Sequence, residues 1–116
     1  MPIDADAVLK ALSMAWSPKS ARQWTRERPA NGQCNVTTLL IENLFGGEIL
    51  KTPLPAGDHF YNRIDGARLD FTASQFDNPM SYADMPANRK EAAIGVQPAE
   101  LAALTSAFQF HFSPQG

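Results

Sequence analysis

Apolar residues recur along the chain at three- and four-residue steps, then in strict alternation, then at helical steps again, and each change of period marks a change of element. Ile3, Val8, Leu9, Leu12 and Trp16 draw the first helical stripe, with Asp4 or Asp6 placed to cap it and Pro18 to stop it. Between Ser17 and Asn31, Lys19, Arg22, Arg26, Glu27, Arg28 and two prolines predict an irregular surface stretch with Trp24 turned toward the core; Asn31-Gly32 ends it in a turn. From Cys34 onward, Val36, Leu39, Leu40, Ile41 and Leu44 give a second helical face, which Gly46-Gly47 closes in a left-handed conformation.

Alternation then takes over. Glu48 to Thr52 reads as a strand stopped by Pro53 and Pro55. The runs His59 to Ile64 and Ala67 to Thr72, joined by Asp65-Gly66, predict a hairpin with a two-residue turn. In that register Ile64 faces Ala67, Asn62 faces Leu69 and Phe60 faces Phe71, so Phe60, Ile64, Leu69 and Phe71 form a core face. His59, Tyr61, Arg63, Arg68, Asp70 and Thr72 then share the other, with His59 across from Thr72 and diagonal to Asp70. A slip of one residue would separate His59 from Asp70. Asp77 to Pro86 is turn-rich, Asn88 to Ala93 reads as a short helix, and a last helix begins at Pro98 and runs to about Phe108 on Leu101, Leu104, Ala107 and Phe108. The alternation around His111 predicts a short final strand or a packed tail.

With 116 residues the chain suits one domain, residues 1–116. A net charge of −2, with Lys and Arg scattered, gives no basic stripe for nucleic acid or an anionic membrane. A single cysteine excludes an internal disulfide and suits a reducing compartment. The acidic start and the lack of an apolar run of about 18 residues point to a soluble cytoplasmic protein with no signal peptide. No cofactor is expected: one cysteine rules out a multi-cysteine zinc cluster, Asp58, His59, Asp70 and His111 have no recognised metal spacing, and no glycine-rich phosphate loop follows a strand.

The remaining chemistry is Cys34, His59 and Asp70, in that order. A cysteine at a helix start lies where free N–H groups favour a thiolate, a histidine supplies the base, and a carboxylate fixes the imidazole tautomer. The plain alternatives are a small buried cysteine, a strand histidine bonded to Thr72 and an aspartate capping a turn. Arg63 and Arg68 face each other across the hairpin, which calls for a negative group: Asp65, solvent, or an anionic substrate. Trp24, Tyr61, Arg63 and Arg68 are the candidate substrate contacts.

Gly32-Gln33-Cys34, Gly46 to Thr52, His59 to Gly66, Asp70-Phe71-Thr72 and Ser74-Gln75-Phe76 resemble the small bacterial YunG-like proteins, over roughly Trp24 to Phe76. More distantly, the order of helix-capping cysteine, strand histidine and following aspartate resembles papain-like and transglutaminase-like proteins. That resemblance implies an α+β fold with an antiparallel sheet packed on the cysteine-bearing helix. It also implies acyl transfer or amide hydrolysis on a peptide or protein, with Cys34 as nucleophile, His59 as base and then acid, and Asp70 as its orienting group. Gln33 resembles the glutamine such enzymes place ahead of the cysteine and is a candidate oxyanion donor. Here it is immediately adjacent, which makes the backbone N–H of Cys34 the safer donor. The rival reading is a non-enzymatic binding module that uses the Arg63/Arg68 face or the Met80 to Met85 loop.

Overall fold

The computed structural model describes residues 3–112. Helix α1, Ala5–Ala15, starts at Asp4, whose side chain accepts from the Ala7 N–H at 3.1 Å. It buries Val8, Ala11, Leu12 and Ala15, while Leu9 is exposed. Helix α2, Cys34–Phe45, ends at Gly46 (φ 76°) and Gly47 (φ 82°). A Cβ at Gly47 would lie 2.5 Å from the Arg63 carbonyl oxygen, so glycine is needed there for close approach as well as conformation. Leu44 lies outside the buried stripe, because the packed face of α2 is Val36, Thr37, Leu39, Leu40 and Ile41.

Four strands form an antiparallel sheet in the order β3-β2-β1-β4: β1 Glu48–Leu54, β2 Gly57–Ile64, β3 Ala67–Leu69 and β4 Met85–Ala87. The Asp65-Gly66 hairpin has the expected register, Ile64 opposite Ala67, Arg63 opposite Arg68 and Asn62 opposite Leu69. Asp65 (φ 51°) and Gly66 (φ 80°) are both left-handed, as this turn requires. The ladder stops at Leu69, however, so Phe60 and Phe71 are both buried without being paired. Strand β1 also runs through Pro53, contrary to the sequence reading. β4 borders β1 only from Ile49 to Lys51, so the missing Pro53 N–H costs no bond on that edge. A second hairpin, turning at Pro55-Ala56 with Leu54 opposite Gly57, follows from that extension. β4 itself, short and containing Pro86, was not visible as a strand in the sequence.

Asn88 caps α3, Arg89–Ala92, and α4, Pro98–His111, opens with a Gln97/Glu100 capping box and proline in its first turn. α4 takes in His111, which corrects the strand or tail expected there. The main core joins Val8, Leu12 and Trp16 with Val36, Leu40, Ile41, Ile64, Phe71, Leu104 and Phe108. A smaller cluster holds Leu39, Ile49, Phe60 and Ala92. Both place α2 on the sheet face that carries Ile49, Phe60 and Ile64. The opposite face, with Leu50, Thr52, His59 and Tyr61, is also buried, under the irregular segment 70–84. This α+β arrangement brings the start of α2, the start of β2 and the residues after β3 to one side of the molecule.

Candidate active site

Cys34 opens α2, and no side chain caps that helix. Gln33, at the capping position, is fully buried. Its Oε1 accepts from the Ser20 hydroxyl at 2.8 Å and its Nε2 reaches the Ser17 carbonyl at 3.5 Å. Both ends of that side chain are held by the Ser17–Ser20 turn, and the first-turn N–H groups of α2 are left for another acceptor. Cys34 itself is half-buried, with its thiol donating to Asn35 Oδ1 at 3.2 Å.

His59 is 2% exposed. Its Nε2 hydrogen-bonds Asp70 Oδ2 at 2.8 Å, with an Asp70 side chain only 4% exposed. The two meet through the turn after β3, where the chain leaves the sheet at Asp70. Thr72, expected opposite His59, instead supports the carboxylate: its N–H and hydroxyl both donate to Asp70 Oδ1 at 3.3 Å. Tyr82 donates its hydroxyl to Asp70 Oδ2 at 2.7 Å. Burial and the neighbouring Asp70 carboxylate push the Tyr82 hydroxyl well above its ordinary range, which keeps it a donor.

With Nε2 committed to Asp70, Nδ1 is the nitrogen left for Cys34. Nδ1 is buried and has no hydrogen-bond partner among the described residues. The sulfur is still close enough to act on the ring. Burial alone lowers the imidazole, but the Asp70 carboxylate and the Cys34 sulfur more than offset it and push His59 up from 6.5 to about 9. Rings fix the imidazole plane: Phe76 meets it edge-on at 4.9 Å and Tyr61 lies nearly parallel at 5.7 Å.

The other candidate residues are engaged by neighbours within the chain. Tyr61 is buried, and its hydroxyl joins Thr52 Oγ1 at 2.8 Å and Asp84 at 2.9 Å. Arg63 is held by Glu48 through two bonds of 3.0 Å, and Arg68 forks onto Asp84 while stacking 4.3 Å from the Tyr82 ring. The repulsion expected between the two arginines is therefore relieved by Glu48 and Asp84, not by Asp65. The Arg68 guanidinium holds the Asp84 carboxyl down to about 2, against the effect of burial. Asp84 adopts a left-handed backbone (φ 51°), which turns its N–H onto the Tyr61 hydroxyl at 2.9 Å. Trp24 is half-buried against the core. Thr72 was placed beside His59 and not as a donor to Asp70; Asn35 was missed because it lies off the apolar stripe of α2, and Tyr82 because it sits in a turn-rich run with no period, where only its aromatic ring carried a signal.

Two depressions are lined by Asn35, the neighbour of Cys34. One, of about 230 Å³, is lined by Ser20, Gln23, Gly32, Asn35, Ile94 and Glu100, among others. The second, of about 260 Å³, is lined by Asn35, Asp58, Phe60, Glu91 and Ile94. A larger apolar hollow of about 450 Å³ between Thr52–Leu54 and Phe76–Ser81 lies behind Phe76. Among the described residues no three His, Cys, Asp or Glu side chains are grouped to hold a metal, and no helix is long and apolar enough to cross a membrane.

A family model described as YunG protein matches residues 4–113. The protein YunG of Bacillus subtilis (strain 168), described as uncharacterized, is 41% identical over 102 residues, covering 88% of this chain and 89% of that protein. No solved structure matches the chain.

Proposed function

This chain belongs to the YunG family, and we propose, from the side chains gathered at the start of α2, that it is a thiol-dependent acyl-transfer enzyme. The observation that carries this reading is the buried His59–Asp70 pair, whose second ring nitrogen is unpaired beside a cysteine at an uncapped helix start. A structural histidine of this burial ordinarily satisfies both nitrogens. The order of Cys34 on a helix, His59 on a strand and Asp70 just beyond the next strand is also that of papain-like and transglutaminase-like folds, which we propose as the wider relationship.

In this mechanism the Cys34 thiolate attacks the carbonyl carbon of an amide or ester, and the developing oxyanion is taken by the N–H of Cys34. His59 carries the proton on Nδ1 and gives it to the leaving amine as the C–N bond breaks. Water or an amine then attacks the acyl carbon, its proton passing to Nδ1, and the C–S bond breaks to return the Cys34 thiolate. Asp70 Oδ2 accepts from Nε2–H and holds the ring in place. Shallow depressions on either side of Asn35 suit a peptide or protein chain better than an enclosed small molecule. A binding module using Arg63 and Arg68 is less well supported, because both guanidinium groups are already paired within the chain.

The test is acylation by p-nitrophenyl acetate. Wild type is expected to give a burst of nitrophenolate and an acetyl adduct on Cys34 by mass spectrometry. Cys34→Ala abolishes the burst, and His59→Ala slows it by about 10²-fold or more, the usual yield of a positioned acid–base. Acetylation of Cys34 at the same rate without His59 would overturn the reading.

A further inference from the structure

The Cys34 thiol has one proton to donate and one acceptor in hydrogen-bond contact. In this structure it donates to Asn35 Oδ1 at 3.2 Å, while His59 Nδ1 stays buried and unpaired. Asn35 is in turn anchored from its other end, since its Nδ2 donates to the Ala92 carbonyl at 2.9 Å. Ala92 is the last residue of α3, and the Ala93–Gly95 turn follows it with Ile94 75% exposed. Asn35 and Ile94 line both depressions beside the site. The amide that holds the thiol is therefore the one side chain of α2 shared by the two places where substrate can settle.

We propose that Asn35 is a positioning residue that parks the Cys34 thiol on its amide oxygen, and that the nucleophile forms when the thiol leaves Asn35 Oδ1, gives its proton to water and pairs as thiolate with the Nδ1–H of the His59 imidazolium. This rests on the acyl-transfer reading. The step balances with water as the base: the S–H bond breaks, the proton passes to water, sulfur keeps the electron pair, and the imidazolium keeps Nδ1–H toward sulfur and Nε2–H on Asp70. A substrate group entering either depression competes with the Asn35 side chain for space and so favours release. The parked state shields the thiol from adventitious electrophiles while the depressions are empty.

Alkylation of Cys34 by iodoacetamide at pH 6 tests this with a pair of substitutions. Asn35→Ala and Asn35→Asp both remove the donor to Ala92, so a purely structural role moves them in the same direction. Only Asn35→Ala removes the acceptor that parks the thiol. The expected result is an alkylation rate about fivefold above wild type for Asn35→Ala, the worth of one ordinary hydrogen bond, and a rate below wild type for Asn35→Asp. In a His59→Ala background the Asn35→Ala acceleration disappears. Should Asn35→Ala melt below the assay temperature, Asn35→Leu keeps the volume, lacks the acceptor and is expected to accelerate equally. Shifts of both variants in one direction, or no shift, with His59→Ala still slowing alkylation, would overturn the parking role and leave the acyl-transfer reading standing. An alkylation rate indifferent to His59→Ala would overturn both.

Discussion

Both faces of β2 are buried, and they are buried in different currencies. Toward α2, Phe60 and Ile64 meet Leu39, Leu40 and Ile41, and Asn62 is admitted by donating to the Thr38 carbonyl at 3.2 Å. Toward segment 70–84, His59 and Tyr61 meet Asp70, Phe76, Tyr82 and Asp84 through bonds of fixed direction. The first face gains free energy from area and volume, which tolerate small rearrangement. The second gains little net free energy per bond but penalises any bond left unmade. One strand serves both, so the apolar face lends the site a rigid backbone and the polar face fixes where each proton can go.

The largest expected effect comes from breaking the apolar face alone. Leu40 is fully buried in the main core, and Leu40→Ala is expected to cost about 3 kcal/mol, read as a fall in the urea midpoint at unchanged slope. Because Leu40 touches neither Asp70 nor His59 in the hydrogen-bond network, alkylation of Cys34 in the folded fraction is expected to stay within about twofold of wild type. A parallel loss of reactivity would show that the two faces are not separable.

A comparable effect is expected on the polar face from pH alone. His59 ordinarily titrates near 6.5 and in the folded chain near 9, so the folded state binds the proton more tightly. The stabilisation is complete below about pH 6.5, shrinks as pH rises, and is gone above about 9, an amount of about 3 kcal/mol. Thermal melts of wild type across that window are expected to fall accordingly. Asp70→Asn keeps an acceptor for Nε2–H but removes the charge, so its melting temperature should be much flatter between the same two pH values. An equally steep decline in Asp70→Asn would place the linkage on some other group.

The two faces were also unequally legible. α1 with its Asp4 cap, α2 from Cys34 to the Gly46 stop, the Asp65-Gly66 register and the Pro98 start of α4 all follow from signals a few residues apart. The bond between His59 and Asp70 was anticipated from a ladder continuing to Phe71. The chain makes it by leaving the sheet, because the carboxylate is drawn to Thr72 and Tyr82 as well. The Pro53 stretch of β1 was misread because proline reads as a stop when the neighbouring edge is unknown. β4, the Tyr82 contact and the Glu48 and Asp84 partners of the arginines depend on residues 15 or more apart meeting, or on a segment with no period. Gln33 shows the same limit from the other side: a residue chosen for its place beside Cys34 is turned away by a turn that begins at Ser17.

The smallest effect tests how far the polar face depends on its cover. Tyr82→Phe removes one donor from Asp70 and leaves the Nε2 bond, both Thr72 bonds and the ring contact with Tyr61 in place. The expected cost is about 1 kcal/mol at pH 6, one hydrogen bond to a carboxylate that still has three others. With one donor fewer, the carboxylate charge acts more fully on the imidazole, so the high-pH limb of the stability curve is expected to move upward, not to vanish. A loss matching that of Asp70→Asn, together with a flat pH dependence, would mean that segment 70–84 holds the pair together and that His59 and Asp70 do not meet without Tyr82 above them.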